Sequence, residues 1–138
     1  MRVSATIFAA MVFSTPAFAL DQTPAPAGAK AYIISPKDGS TVSSPVKVVF
    51  GLEGMGIAPA GTDNDKTGHH HLIIDADLPP LNEPIPADEH YRHFGGGQTE
   101  TMLELAPGSH SLQLIMGDQN HIPFKPEIVS EKISVTVK

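Results

Sequence analysis

Seven histidines and no cysteine set what this 138-residue chain could do chemically, and all seven fall between His69 and His121. Neutral imidazole is the commonest protein ligand for zinc, copper and nickel, and a stable site needs three or four to converge on one ion. Without cysteine there is no disulfide, no thiolate nucleophile, no iron–sulfur cluster and no thiolate zinc site. Any metal must be held by imidazole, carboxylate or thioether. His69 and His71 stand two apart in an apolar run, so on a strand they share a face at roughly 7 Å between Cβ atoms. Two rings at that spacing can tilt onto one ion at about 2.0–2.1 Å. The expected ligands are His69, His71, His93 and His121, with His90 and Met55 in reserve. Met55 is expected in an exposed loop, where its thioether would suit cuprous ion. Copper is the expected ion and zinc the next, because divalent copper forms the tightest complexes with nitrogen donors. Affinity is expected to fall as pH drops through the imidazole pKa near about 6.5, since a protonated ring cannot ligate.

The remaining histidines have plainer uses. His70 points away from His69 and His71 on a strand. His110 follows Leu105-Ala-Pro-Gly-Ser109 at a place where related sandwiches brace a corner with tyrosine, so a structural role is favoured over ligation. Asp63-Asn-Asp-Lys-Thr-Gly68 matches the first half of an EF-hand loop, but its twelfth position is Ile74 and no helix flanks it, which favours a solvated turn. Gly95-Gly96-Gly97 lacks the lysine and following helix of a phosphate loop, leaving close approach or positive φ as its use. Met102 and Met116 fall within expected strands, where a core role is favoured over ligation. Neither G-x-S-x-G nor H-E-x-x-H occurs. Asp118 and His121 could pair for acid–base work, but nothing nominates a nucleophile or substrate, so a non-enzymatic protein is expected.

These side chains need a scaffold, and the sequence describes one. Residues 1–19 read as a secretory signal peptide: a basic start at Arg2, an apolar run too short to span a bilayer, and Ala17-Phe18-Ala19 before the cut. Export to the periplasm follows as an expectation. Residues 20–30 are Pro/Ala-rich and read as a tether, leaving residues 31–138 as one domain. Fifteen acidic against nine basic residues, a formal charge of −6, leave no basis for gripping nucleic acid or anionic lipid. Strands are expected over 31–35, 46–50, 69–75, 99–105, 110–116 and 128–138, from alternating apolar positions bounded by Pro, Gly and Asp. The junction at 106–109 reads as a hairpin or a corner between sheets. Residues 77–98 hold four prolines and three consecutive glycines, and a loop that long is usually functional or mobile. With no helical period anywhere, the fold class is all-β, an immunoglobulin-like β-sandwich of about seven short strands.

Two patterns, SPKDGSxVxxPVxVxF over residues 35–50 and LAPGxHxLxLxxGD over 105–118, resemble bacterial sandwich domains of that class. From about Tyr32 onward the chain also resembles a family of small exported bacterial proteins catalogued as a domain of unknown function. The carrying runs are FGLEGMGIAPAG from Phe50, TGHHHLIID from Thr67, LPP from Leu78, HFGGGQTE from His93 and PGxHxLQLxxGDxNHxP from Pro107. That resemblance implies a fold and no activity. Metal binding is the leading expectation, and recognition of an envelope protein or glycan by the loop at 77–98 is the alternative. Histidine rings scattered more than about 8 Å apart would favour the alternative, and convergence would favour metal.

Overall fold

A computed structural model describes Ser14 and residues 20–138. Apart from Ser14, the expected signal peptide lies outside the described residues. Nine strands and no helix occur among them: β1 (Lys30–Ser35), β2 (Thr41–Val42), β3 (Val46–Glu53), β4 (Gly56–Ile57), β5 (Thr67–Ile74), β6 (Tyr91–His93), β7 (Glu100–Leu103), β8 (Gly108–Gly117) and β9 (Ile133–Val137). One sheet has the order β1-β3-β7, the other β2-β9-β8-β5-β4, with β6 also paired to β5. The chain is all-β, an open sandwich, and seven of its strands have three or more residues. The residues at 106–109 form a corner between sheets, because β7 belongs to the first and β8 to the second.

Alternation explains the main core. In β3, Val46, Val48 and Phe50 are buried while Lys47 is exposed, and in β9 Ile133, Val135 and Val137 are buried while Ser134 and Thr136 are exposed. The β3 residues close on Leu72, Ile74, Leu112, Leu114 and Met116 of the facing sheet, which the β9 residues extend on the same side. Full burial of each such side chain contributes about 1.5–3 kcal/mol before entropy is counted. Met102 on β7, by contrast, is exposed rather than in the core.

β5 departs from alternation: every residue from Gly68 to Ile74 is buried. A strand covered on both faces reads as a continuous apolar run, and here the cover on the outer face is the long loop at 77–98. Ile85 from that loop packs with Ile73 and Ile115 in a second, smaller core, flanked by Leu81 and Tyr91. The loop is not structureless. Its β6 segment lies antiparallel to β5, with Ile73 opposite Tyr91 and His71 opposite His93. Prolines and glycines on either side hide so short a strand in the sequence, and β2 and β4 are shorter still.

Candidate metal centre

The two faces of β5 separate its three consecutive histidines. His70 shares the inner face with Leu72 and Ile74 and lies against Phe50, ring centroids 5.1 Å apart. His69 and His71 face outward, on the side covered by the long loop. Directly opposite residues of an antiparallel pair present side chains to the same face, so the register of His71 with His93 delivers the third ring. The fourth arrives from β8. Its last residue, Gly117, pairs with His69, and a four-residue turn folds back so that Gly117 also bridges Pro123. That turn places His121 beside His69.

The four rings form one cluster. Centroid separations run from 4.6 Å for His93 and His121 to 6.1 Å for His71 and His121. His71 Nε2 lies 3.0 Å from His69 Nε2, which lies 3.2 Å from His121 Nδ1. One nitrogen from each ring lies within 4.8 Å of every other, so the cluster could hold a metal ion. An ion about 2.05 Å from tetrahedral ligands holds their nitrogens about 3.3 Å apart, close to the two short separations. His69 and His71 are buried, His121 half-buried and His93 exposed, giving the cluster a fixed floor and an open side.

Electrostatics favour neutral rings here. Burial pushes His69 down to about 4, with the neighbouring His93 and His121 adding to the effect. Burial and then His69, His93 and His121 take His71 to about 2. His93 is also lowered, by burial and by His121. The buried Nδ1 atoms of His69 and His71 have no hydrogen-bond partner. A neutral ring has one N–H and one lone pair. If Nδ1 carries the proton, the Nε2 lone pairs of both rings converge on one spot. A cation is what such a convergence accommodates.

The sequence of this chain matches a family model described as a domain of unknown function, DUF4399, over residues 48–138. The chain belongs to the DUF4399 family. No curated protein and no solved structure matches it. All seven histidines lie inside the matched span of the DUF4399 domain, as do the loops that place them.

Within that domain, two glycines make room for the rings. A Cβ at Gly117 would stand 3.0 Å from His71 Nε2, the atom that faces His69. A Cβ at Gly95 would collide with the His93 ring, so the first glycine of the triple serves close approach. Asp118 does not pair with the His121 ring. Its carboxylate accepts from the backbone N–H groups of Asn120 and Ile122 at 2.9 and 3.0 Å and from the Thr23 hydroxyl at 2.7 Å. An aspartate bonding the N–H two residues on is a turn signature, legible before Asn120. The part played by Thr23 had no sequence signal.

His90 and Met55, the reserve ligands, stand outside the cluster. His90 Nδ1 lies 2.9 Å from the Ile74 carbonyl, across the β5 edge, and Met55 packs against the main core. The calcium-like segment is exposed from Asp63 to Lys66, with a turn at Asp65 and Lys66, and runs into β5 at Thr67. His110 braces the corner: Nδ1 lies 2.6 Å from Asp75 Oδ2 and Nε2 lies 2.7 Å from the Ala106 carbonyl. Both partners are acceptors, so both nitrogens must donate and the ring is an imidazolium. The hydrogen bond to Asp75 raises its pKa accordingly. The polar depression beside it, lined by Asp77, Ser109, Lys132 and Ser134, holds none of the buried unpartnered nitrogens found elsewhere.

Proposed function

We propose that this chain is an exported, periplasmic, non-enzymatic protein that binds a divalent metal ion through His69, His71, His93 and His121. The carrying observation is the convergence of four ring nitrogens within 4.8 Å. Rings at these separations support metal over the scattered arrangement that envelope-protein or glycan recognition would permit. Copper is preferred and zinc is next, because an all-imidazole donor set meets copper at the top of the divalent affinity series. Export rests on the pattern of residues 1–19, and absence of catalysis on the lack of a nucleophile or acid–base motif.

Calorimetric titration of metal-free protein with Cu(II) and Zn(II) tests the proposal. One ion per chain is expected, with tighter binding of copper and loss of binding in His69→Ala and His71→Ala. No saturable binding of either ion, or variants that bind as the parent does, would sink it.

A further inference from the structure

The N-terminal segment at 20–30 lies along the domain rather than hanging from it. Its backbone is bonded to the stretch that follows His121: Lys125 N–H donates to the Thr23 carbonyl and Ala25 N–H to the Lys125 carbonyl, both at 2.9 Å. Two side chains then reach the loops that carry the open side of the cluster. Gln22 Nε2 donates to the Leu81 carbonyl of the long loop and, at 3.1 Å, to the Pro123 carbonyl of the His121 turn. The Thr23 hydroxyl donates to Asp118 Oδ2 at 2.7 Å.

Asp118 is the centre of the His121 turn. Its side chain is buried, its Oδ1 holds two backbone N–H groups of the turn, and its own carbonyl accepts the His121 N–H at 2.9 Å. His121 needs that support, because it is held at φ 66, a left-handed conformation that costs a residue with a Cβ roughly 1–2 kcal/mol. The His121 carbonyl in turn accepts the Ile85 N–H of the long loop at 2.8 Å. The strap therefore touches the aspartate at the centre of the turn, the Pro123 carbonyl that follows it and the long loop to which the His121 carbonyl is bonded. Residues 22 and 23 also precede the span matched by the family model, which begins at residue 48.

We infer that Gln22 and Thr23 are positioning residues, forming a strap that fixes His121 relative to the other three rings. The consequence for metal affinity rests on the function proposed above. Outer groups that orient a ligand typically change metal affinity by about 10–100-fold. Removing the Thr23 hydroxyl leaves a buried carboxylate oxygen without its donor, while the two backbone bonds keep the strap docked.

Thr23→Val, Thr23→Ser and Gln22→Ala in the full chain test the inference with two readouts. Amide hydrogen exchange in metal-free protein is expected to quicken at Asn120, His121 and Ile122 in Thr23→Val and Gln22→Ala, and to stay at the parent rate in Thr23→Ser. Cu(II) titration with electron paramagnetic resonance is expected to show affinity about 10–100-fold lower in Thr23→Val and one fewer coordinated nitrogen, with Thr23→Ser restoring both. Unchanged exchange in Thr23→Val overturns the strap. Faster exchange with parent-like affinity and nitrogen count overturns its role in the site. A parent chain that binds neither copper nor zinc overturns the metal proposal, and the exchange rates then still decide whether the strap fixes the His121 turn.

Discussion

Two regions of the second sheet use histidine in opposite ways. On the outer face of β5, four rings face one another, and two of them carry buried nitrogens with no partner. At the corner below, His110 lies between a carboxylate and a carbonyl with both nitrogens bonded. The cluster holds its two buried rings, His69 and His71, neutral and with Nδ1 unpaired, whereas the corner holds its ring charged and satisfied. Buried donors and acceptors left unpaired cost about 1–3 kcal/mol each. The unpaired Nδ1 atoms of His69 and His71 therefore cost the fold stability, and the Nε2 lone pairs that meet on the other side of those rings are what a bound ion would engage. The corner has no such debt and its histidine is a brace.

The sharpest way to break this contrast is acid. A histidine whose folded pKa is depressed binds fewer protons folded than unfolded at pH values below about 6.5, so stability falls as pH drops through that range. His69 and His70 at about 4 and His71 at about 2 share this sign. Each can cost as much as about 1.4 kcal/mol per pH unit until its folded pKa is reached. Metal-free protein is expected to lose several kcal/mol between about pH 6.5 and pH 5 in urea unfolding. Flat stability across that interval would mean the rings are already protonated, or open to water, and the contrast with the corner would disappear.

A smaller effect separates the cluster from its near neighbours. Structural four-ligand zinc sites bind with about 10–16 kcal/mol, so one ligand accounts for roughly 3 kcal/mol, or about 100-fold. His71→Ala is expected to lower metal affinity by at least that factor. His90→Ala removes a ring that bonds the Ile74 carbonyl and is expected to leave affinity at the parent value. Equal losses in the two variants would mean that the metal does not choose the converged rings.

Much of this was legible in the sequence, for physical reasons that also mark where legibility ended. Alternation in β3 and β9 gives away the sandwich, and a two-residue spacing puts His69 and His71 on one face whatever the tertiary structure does. The arrival of His93 depends on the register of a three-residue strand, fixed by Tyr91 packing over Ile73 rather than by any local pattern. His90, three positions earlier in the same loop, looks equivalent in sequence and is excluded only by that register. Met55 differs from its sequence expectation for a related reason. A methionine between glycines reads as exposed, yet the loop turns it onto the core. The strap from Gln22 and Thr23 acts over about a hundred residues of separation, beyond the reach of pattern.

The corner yields the smallest effect and the most specific one. His110 has a raised pKa through Asp75 and Ala106, so its contribution is fully present below about 6.5 and is lost as pH rises through the folded value. Asp75 has a lowered pKa: burial pushes it up, but the His110 and Ser111 hydrogen bonds outweigh that. Its contribution is present above about 3.9 and is lost as pH falls through the folded value. The pair is therefore strongest between about pH 4 and pH 6.5, where the cluster is losing stability. With the Asp75 side chain 38% exposed, solvent screening holds the pair to about 1 kcal/mol. His110→Ala is expected to destabilise the protein by about that much at pH 5.5, by less at pH 8.5, and to leave metal affinity unchanged. Denaturant midpoints of parent and variant at the two pH values measure the difference. A cost that grows toward pH 8.5 would show that His110 is neutral when it braces the corner, and the two regions would then differ in partners but not in charge.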